Sequence, residues 1–201
     1  MPLQNRVQPT GDIVAVPARG AYMGNRGILH DDRQKLTRAR WRHKAWVTCV
    51  LSFKQRQRTL MKPGNYTELF FTDEAVAFAA GHRPCGECRR ADFNRFREFA
   101  GVSGKIVEYD ARLHLSRAVP RTYGQVRHSA EISHLPDGTF ILDTNGKVRL
   151  VFGDALFAYS AADGYGERHL RPKMGRVIVL TPEMLVDVLR AGYALDIRLP
   201  S

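Results

Sequence analysis

The residues best suited to chemistry lie in one short run, His82-Arg83-Pro84-Cys85-Gly86-Glu87-Cys88. Two thiols separated by two residues, on a tight turn into a helix, can both reach one Zn²⁺ at about 2.3 Å. A helix N-terminus together with Arg83, Arg89 and Arg90 would lower the thiol pKa values and favour metal-ready thiolates. The pair is half of a site, because a closed tetrahedral zinc needs two more ligands. Candidates are Cys49 and the histidines at positions 30, 43, 82, 114, 128, 134 and 169. Two other readings stay open: a pair of ordinary, partly buried cysteines, or a redox pair, although the flanking pattern is not the thioredoxin order of strand, Cys-x-x-Cys and helix. With only three cysteines in 201 residues, a disulfide scaffold is not expected, and in a reducing compartment such a pair points to metal or redox roles.

The second chemical signal is charge. The chain has a formal net charge of +11. From Glu131 onward 8 Lys/Arg face 9 Asp/Glu, so the excess belongs to the first 130 residues. It is densest from Arg33 to Lys62, which holds ten Lys/Arg and no acid. Such a segment attracts a polyanion; the alternative is a solvated face that only aids solubility. Within it, Arg33, Lys35, Arg38, Arg40, Arg42, Lys44, Arg56 and Arg58 could neutralise phosphates, with Arg89 and Arg90 beyond it. Trp41 could stack on an exposed base, whereas Trp46 lies inside an expected strand and reads as core. His128, Glu131 and His134, spaced three apart, would share a face only on a helix, and a polar surface segment is the preferred reading. There is no Walker-type loop, no G-x-S-x-G and no H-E-x-x-H.

These residues need elements to hold them. Residues 12–16, 46–53 and 68–71 read as strands, and residues 31–41 as a basic helix or an irregular arm. A helix starting at Thr72-Asp73-Glu74 ends at Gly81. A second runs from about Glu87 to Phe99, with Phe93, Phe96 and Ala100 on one stripe. Strands follow at 139–143 and 147–152 around Asn145-Gly146, then at 176–180. Thr181-Pro182-Glu183 opens a helix that ends near Gly192, and 194–199 reads as a last strand. No apolar run approaches the roughly 20 residues of a membrane span, and Met1 to Arg6 does not resemble a secretory leader. A cytoplasmic location follows, at the nucleoid if the source is bacterial.

Phe71-Thr72-Asp73-Glu74-Ala75, followed by Ala79-Ala80-Gly81-His82-Arg83-Pro84-Cys85-Gly86-Glu87-Cys88-Arg89, resembles the second half of the metal-binding domain of Ada-type DNA-repair proteins. That domain also occurs attached to nucleases, and Tyr22 to His30 is similar to the start of those variants. The resemblance covers roughly residues 21–92 and implies a zinc site, with DNA favoured over RNA as partner. The family places a cysteine four residues after its first ligand, where this chain has Gln34. The implied ligand set is therefore His30, Cys49, Cys85 and Cys88, with His82 as a substitute. In the family a zinc-bound thiolate of the first ligand pair takes a methyl group from a DNA phosphotriester; here that pair is altered, so a structural zinc is expected. Pro84-Cys85-Gly86-Glu87-Cys88-Arg89 is also similar to half of a zinc-dependent cytidine deaminase motif, but the upstream His-x-Glu or Cys-x-Glu is missing.

The expected architecture is α+β: a small zinc-bound N-terminal αβ unit (residues 1–130) packed with a β-rich half (131–201), the two forming either two units or one composite domain. The expected function is a zinc-containing nucleic-acid-binding protein in DNA repair or processing. Its competitors are a zinc-dependent enzyme on nucleic acid, as a nuclease-type hydrolase or a deaminase, and a zinc-stapled protein-interaction module. A closed four-ligand zinc favours the first; three ligands, an open position and a nearby acid favour the enzyme.

Overall fold

The computed structural model describes residues 1–56 and 59–200, and the chain is α+β. Its first sheet takes six short strands: β1 (Arg6–Val7), β2 (Ile13–Val14), β3 (Tyr22–Asn25), β4 (Val47–Val50), β5 (Leu69–Phe71) and β6 (Arg83–Pro84), in the order β2-β1-β5-β3-β4-β6. Strand β3 runs antiparallel to both neighbours. A Cβ at Gly24 would stand 2.5 Å from the Val47 carbonyl and 2.7 Å from the Phe71 ring, so only glycine lets this strand close on them.

Residues 31–46 form an irregular arm rather than a helix. The cause is local: the Asp31 carboxylate accepts the backbone N–H groups of Arg33 and Lys35, each at 2.9 Å, and an Asx turn of this kind competes with helical bonding.

Helix α1 (Glu74–Ala79) is capped by Asp73, whose carboxylate accepts the Val76 N–H at 3.0 Å. It stops at Gly81, whose φ of +83° suits a residue without a Cβ. Helix α2 (Arg90–Phe99) starts after the cysteine turn and buries Phe93 and Phe96. Helix α3 (Ile106–Arg117) was not foreseen from the sequence; it buries Tyr109, Asp110, Leu113 and Arg117. A hairpin of β7 (Ala118–Val119) and β8 (Gly124–Gln125) follows.

The second sheet contains β9 (His128–Glu131), β10 (Phe140–Leu142), β11 (Val148–Phe152), β12 (Ala155–Ser160), β13 (Gly164–Leu170) and β14 (Arg176–Val179), in the order β13-β12-β11-β10-β14-β9. Every pairing is antiparallel. Because His128–Glu131 is a strand, His128 and Glu131 fall on opposite faces, which removes the shared face a helix would have offered. Helix α4 (Glu183–Arg190) closes the fold; Thr181 does not cap it but accepts the Phe140 N–H at 2.9 Å. Residues 194–199 are not a strand. Carboxylates replace a neighbouring strand there: Glu74 accepts the Asp196 N–H at 3.2 Å and Asp73 accepts the Arg198 N–H at 3.1 Å.

One apolar cluster joins the two sheets, with Val7, Leu69, Phe71 and Val76 against Phe140, Leu150 and Leu180. A second joins the helices through Phe78, Phe96, Tyr109 and Leu113 against Leu185, Val188 and Tyr193. Each such buried side chain contributes about 1.5–3 kcal/mol relative to exposure. Among the described residues, no helix is long and apolar enough to cross a membrane.

Candidate metal centre

The three cysteines are brought together by a parallel step. Strands β4 and β6 pair Val47 with Arg83 and Thr48 with Pro84. The next position on each strand sets Cys49 beside Cys85, whose N–H donates to the Thr48 carbonyl at 2.9 Å. The chain then turns, Arg89 N–H returning to the Cys85 carbonyl at 3.2 Å. That turn carries Cys88 back over the other two.

The three sulfurs lie 3.6–3.8 Å from one another, and all three cysteines are free. A disulfide would need about 2.05 Å. Thiolates bound at about 2.3 Å to a tetrahedral ion stand about 3.8 Å apart, so this triangle has the size of one tetrahedral face. Cys49, Cys85 and Cys88 could hold a metal ion.

Electrostatics within the triangle are uneven. Cys85 accepts from the Cys49 thiol and from the backbone N–H groups of Cys88 and Glu87, which together hold its pKa down to about 5 against the opposing effect of burial. The same hydrogen bond to Cys85, and then burial, push the Cys49 thiol up. Burial also raises Cys88. The flanking arginines are not the cause anticipated from the sequence. Arg83 donates two hydrogen bonds, at 2.7 and 2.6 Å, to Asp110, and Arg89 is paired with Glu74 at 2.7 Å and Asp92 at 2.9 Å.

All three cysteines border a cavity of about 180 Å³. Asn25, Phe53, Arg56, Tyr66 and Glu87 complete its polar and aromatic wall. Glu87 pairs there with Arg56 at 2.7 Å, both half exposed.

No protein family, curated protein or solved structure matches this chain.

His30 stands apart from the triangle. Its Nδ1 meets the Thr67 hydroxyl at 2.7 Å and its Nε2 the Lys62 carbonyl at 3.3 Å, so both ring nitrogens are occupied by the strand connection they staple. Gln34, at the family's cysteine position, donates to the Leu60 carbonyl at 2.9 Å. His82 is no substitute ligand either. It is buried between Phe71 and Trp46 and accepts from Arg26 Nε at 3.2 Å. Burial, then Arg26 and Arg117, keep it neutral by pulling its pKa well below the ordinary value.

Of the basic residues, Arg33, Lys35, Arg38, Arg42, Lys44 and Arg90 are exposed. None of them makes an ion pair among the described residues. Arg40 and Trp41 are half buried in the wall of a different cavity, and Trp41 packs its ring 4.8 Å from Tyr123 and 5.6 Å from Trp46. Arg89 is withdrawn from any partner: it is buried under its two acids. Arg58 lies outside the described residues. Asn25, Tyr66 and Glu87 in the sulfur cavity, and Arg26 and Arg117 elsewhere, carried no spacing signal. Only the fold collects them.

Proposed function

We propose that this is a zinc-containing nucleic-acid-binding protein acting in DNA repair or processing. The supporting observation is the arm from Arg33 to Lys44, whose exposed cations form no ion pair among the described residues, with Asp31 near Arg33 and Lys35, and which runs directly into the strand bearing Cys49. Phosphates would supply the missing counter-charge. Soft thiolates in tetrahedral array select zinc over hard cations, and the Ada-like run through Cys85 and Cys88 favours DNA as the polyanion. The direct test is binding to duplex and single-stranded DNA as salt is varied. Replacing Arg33, Lys35, Arg38 and Lys44 by Gln should reduce the slope of log K against log salt by about 0.9 per lost contact on B-DNA and about 0.7 on single strands. Unchanged binding would make the arm a solvated face.

A second reading draws on a different observation. Three sulfurs leave a fourth metal position toward a cavity bearing the Glu87 carboxylate, an arrangement suited to a metal-bound water with an acid–base partner. Under this reading the protein is a hydrolase on nucleic acid. Cleavage of end-labelled DNA that disappears in Glu87→Gln, while zinc is retained, would establish it; no cleavage by the zinc-loaded wild type would dismiss it.

A further inference from the structure

Away from the sulfurs, a cavity of about 150 Å³ lies between the arm and the β7–β8 hairpin. Its wall holds Arg26, Arg40, Arg117 and Arg127 but one carboxylate, Asp12. Asp12 is exposed and accepts from the Thr10 hydroxyl at 2.7 Å.

Arg26 and Arg117 are each only 2% exposed, and neither forms an ion pair among the described residues. Arg26 donates to His82 Nε2 and to the Ala80 carbonyl, both at 3.2 Å. Arg117 donates to the carbonyls of Gly81 and Lys44, and its Nε has no partner. The two guanidiniums flank Trp46, at 4.2 and 4.0 Å from its ring centre. The nearest interior acid, Asp110, is already committed to Arg83. Carbonyls and a π-face moderate this charge but do not cancel it, and a buried cation without a counter-ion is strongly disfavoured. Burial, and then Arg40 beside it, lower the pKa of Arg26, and burial, then Arg26, lower that of Arg117. Burial is the larger cause in both, and an anion in the cavity would oppose both causes.

We propose that this cavity is a binding site for a terminal phosphate group, free or carried on a single ester bond. Guanidinium forks match phosphate oxygens in pairs, and four arginines line the space. The volume lies below the roughly 300 Å³ of pockets that enclose drug-sized ligands, so it takes the phosphate group and leaves the carrier outside, against Trp41 and Tyr123. Free inorganic phosphate and the 5′-phosphate of a nucleic-acid strand share this chemistry. The strand as source rests on the nucleic-acid reading above; the pocket itself does not.

The chain has two tryptophans, Trp41 and Trp46, and both border the cavity, so intrinsic fluorescence reports its occupancy. Sodium phosphate is titrated into the full-length protein against sodium chloride at matched ionic strength. The expected result is a saturable change with phosphate alone, weakened at least tenfold in Arg40→Gln and Arg127→Gln variants whose thermal melts match wild type. A 5′-phosphorylated single-stranded oligonucleotide should compete better than the same sequence ending in a 5′-hydroxyl; equal competition, with phosphate still saturating, assigns the site to free phosphate. Identical responses to phosphate and chloride, with oligonucleotides indifferent to their 5′ end, would overturn the proposal. Salt-dependent DNA binding that persisted in that case would leave the function proposed above standing.

Discussion

The two sheets solve the problem of an interior differently. Around the first sheet, Arg26, Glu74, Arg83, Arg89, Asp110 and Arg117 are all buried. Within the second, Phe140, Ile141, Leu150, Val151, Leu156 and Val179 fill the interior, and the buried charge is Arg149, held by Asp143 at 2.9 Å. Charge is costly to bury, so its concentration around the first sheet marks where the fold depends on paired and hydrogen-bonded ions rather than on apolar packing alone. The second sheet reads as a scaffold.

The largest expected contrast concerns metal. Cys85→Ser should reduce bound zinc from about one per chain to near none and destabilise the fold, since binding free energy of a structural metal is folding free energy; elemental analysis of protein purified without chelator checks it. Val151→Ala, in the other sheet, should keep its zinc. Metal-free wild type would erase the distinction.

Next comes the Arg83–Asp110 pair, at 5% and 2% exposure. Asp110→Asn should cost about 3–5 kcal/mol in urea unfolding by stranding a buried cation, whereas replacing both partners by Met and Leu should recover most of that loss. Failure to recover would mean that the pair also organises its surroundings.

Acid provides a smaller effect. His82 has a folded pKa depressed by burial and by Arg26 from an ordinary 6.5. The unfolded chain therefore takes up the proton first, so the contribution of His82 is complete above about pH 6.5 and is lost as pH falls through that value. His82→Gln should flatten the stability profile between pH 7 and 5 by up to about 1.4 kcal/mol per pH unit. The smallest effect belongs to the second sheet: Arg168→Ala, which removes an exposed pair with Asp154, should change stability by less than about 1 kcal/mol.

Much of this was legible in the chain. The helix start at Thr72-Asp73-Glu74 (capped by Asp73, one residue after the Thr72 expected), the helix stop at Gly81 and the Asn145-Gly146 hairpin are local signals, and local chemistry decided them. Cys85 and Cys88 announced themselves by spacing; Cys49 was one candidate among several and entered the ligand set only through the resemblance, and the parallel step between β4 and β6 that places it beside them is encoded by no local pattern. Helix α3 escaped because its inward face carries Asp110 and Arg117 beside Tyr109 and Leu113, while Val107 and Leu115 face solvent. The apolar stripe that betrays a helix is thereby blurred. His30 misled because the Ada-type resemblance cast it as a ligand, whereas its neighbours Thr67 and Lys62 claimed both nitrogens. The arginine cavity draws residues from positions 26, 40, 117 and 127, a separation that only tertiary structure closes.

The two acids at the start of helix α1 also set an order of events. Asp73 and Glu74 are buried; beyond the nearby donors Val76 and Arg89, four more come from Tyr165, Tyr193, Asp196 and Arg198. During synthesis those donors emerge roughly a hundred residues after the acids, many seconds later at the slower elongation rates. In the interval each acid holds only part of its final set of hydrogen bonds, the cap to Val76 for Asp73 and the pair with Arg89 for Glu74. The cysteine-bearing half, although made first, therefore completes its hydrogen bonding only once the C-terminal residues have been made.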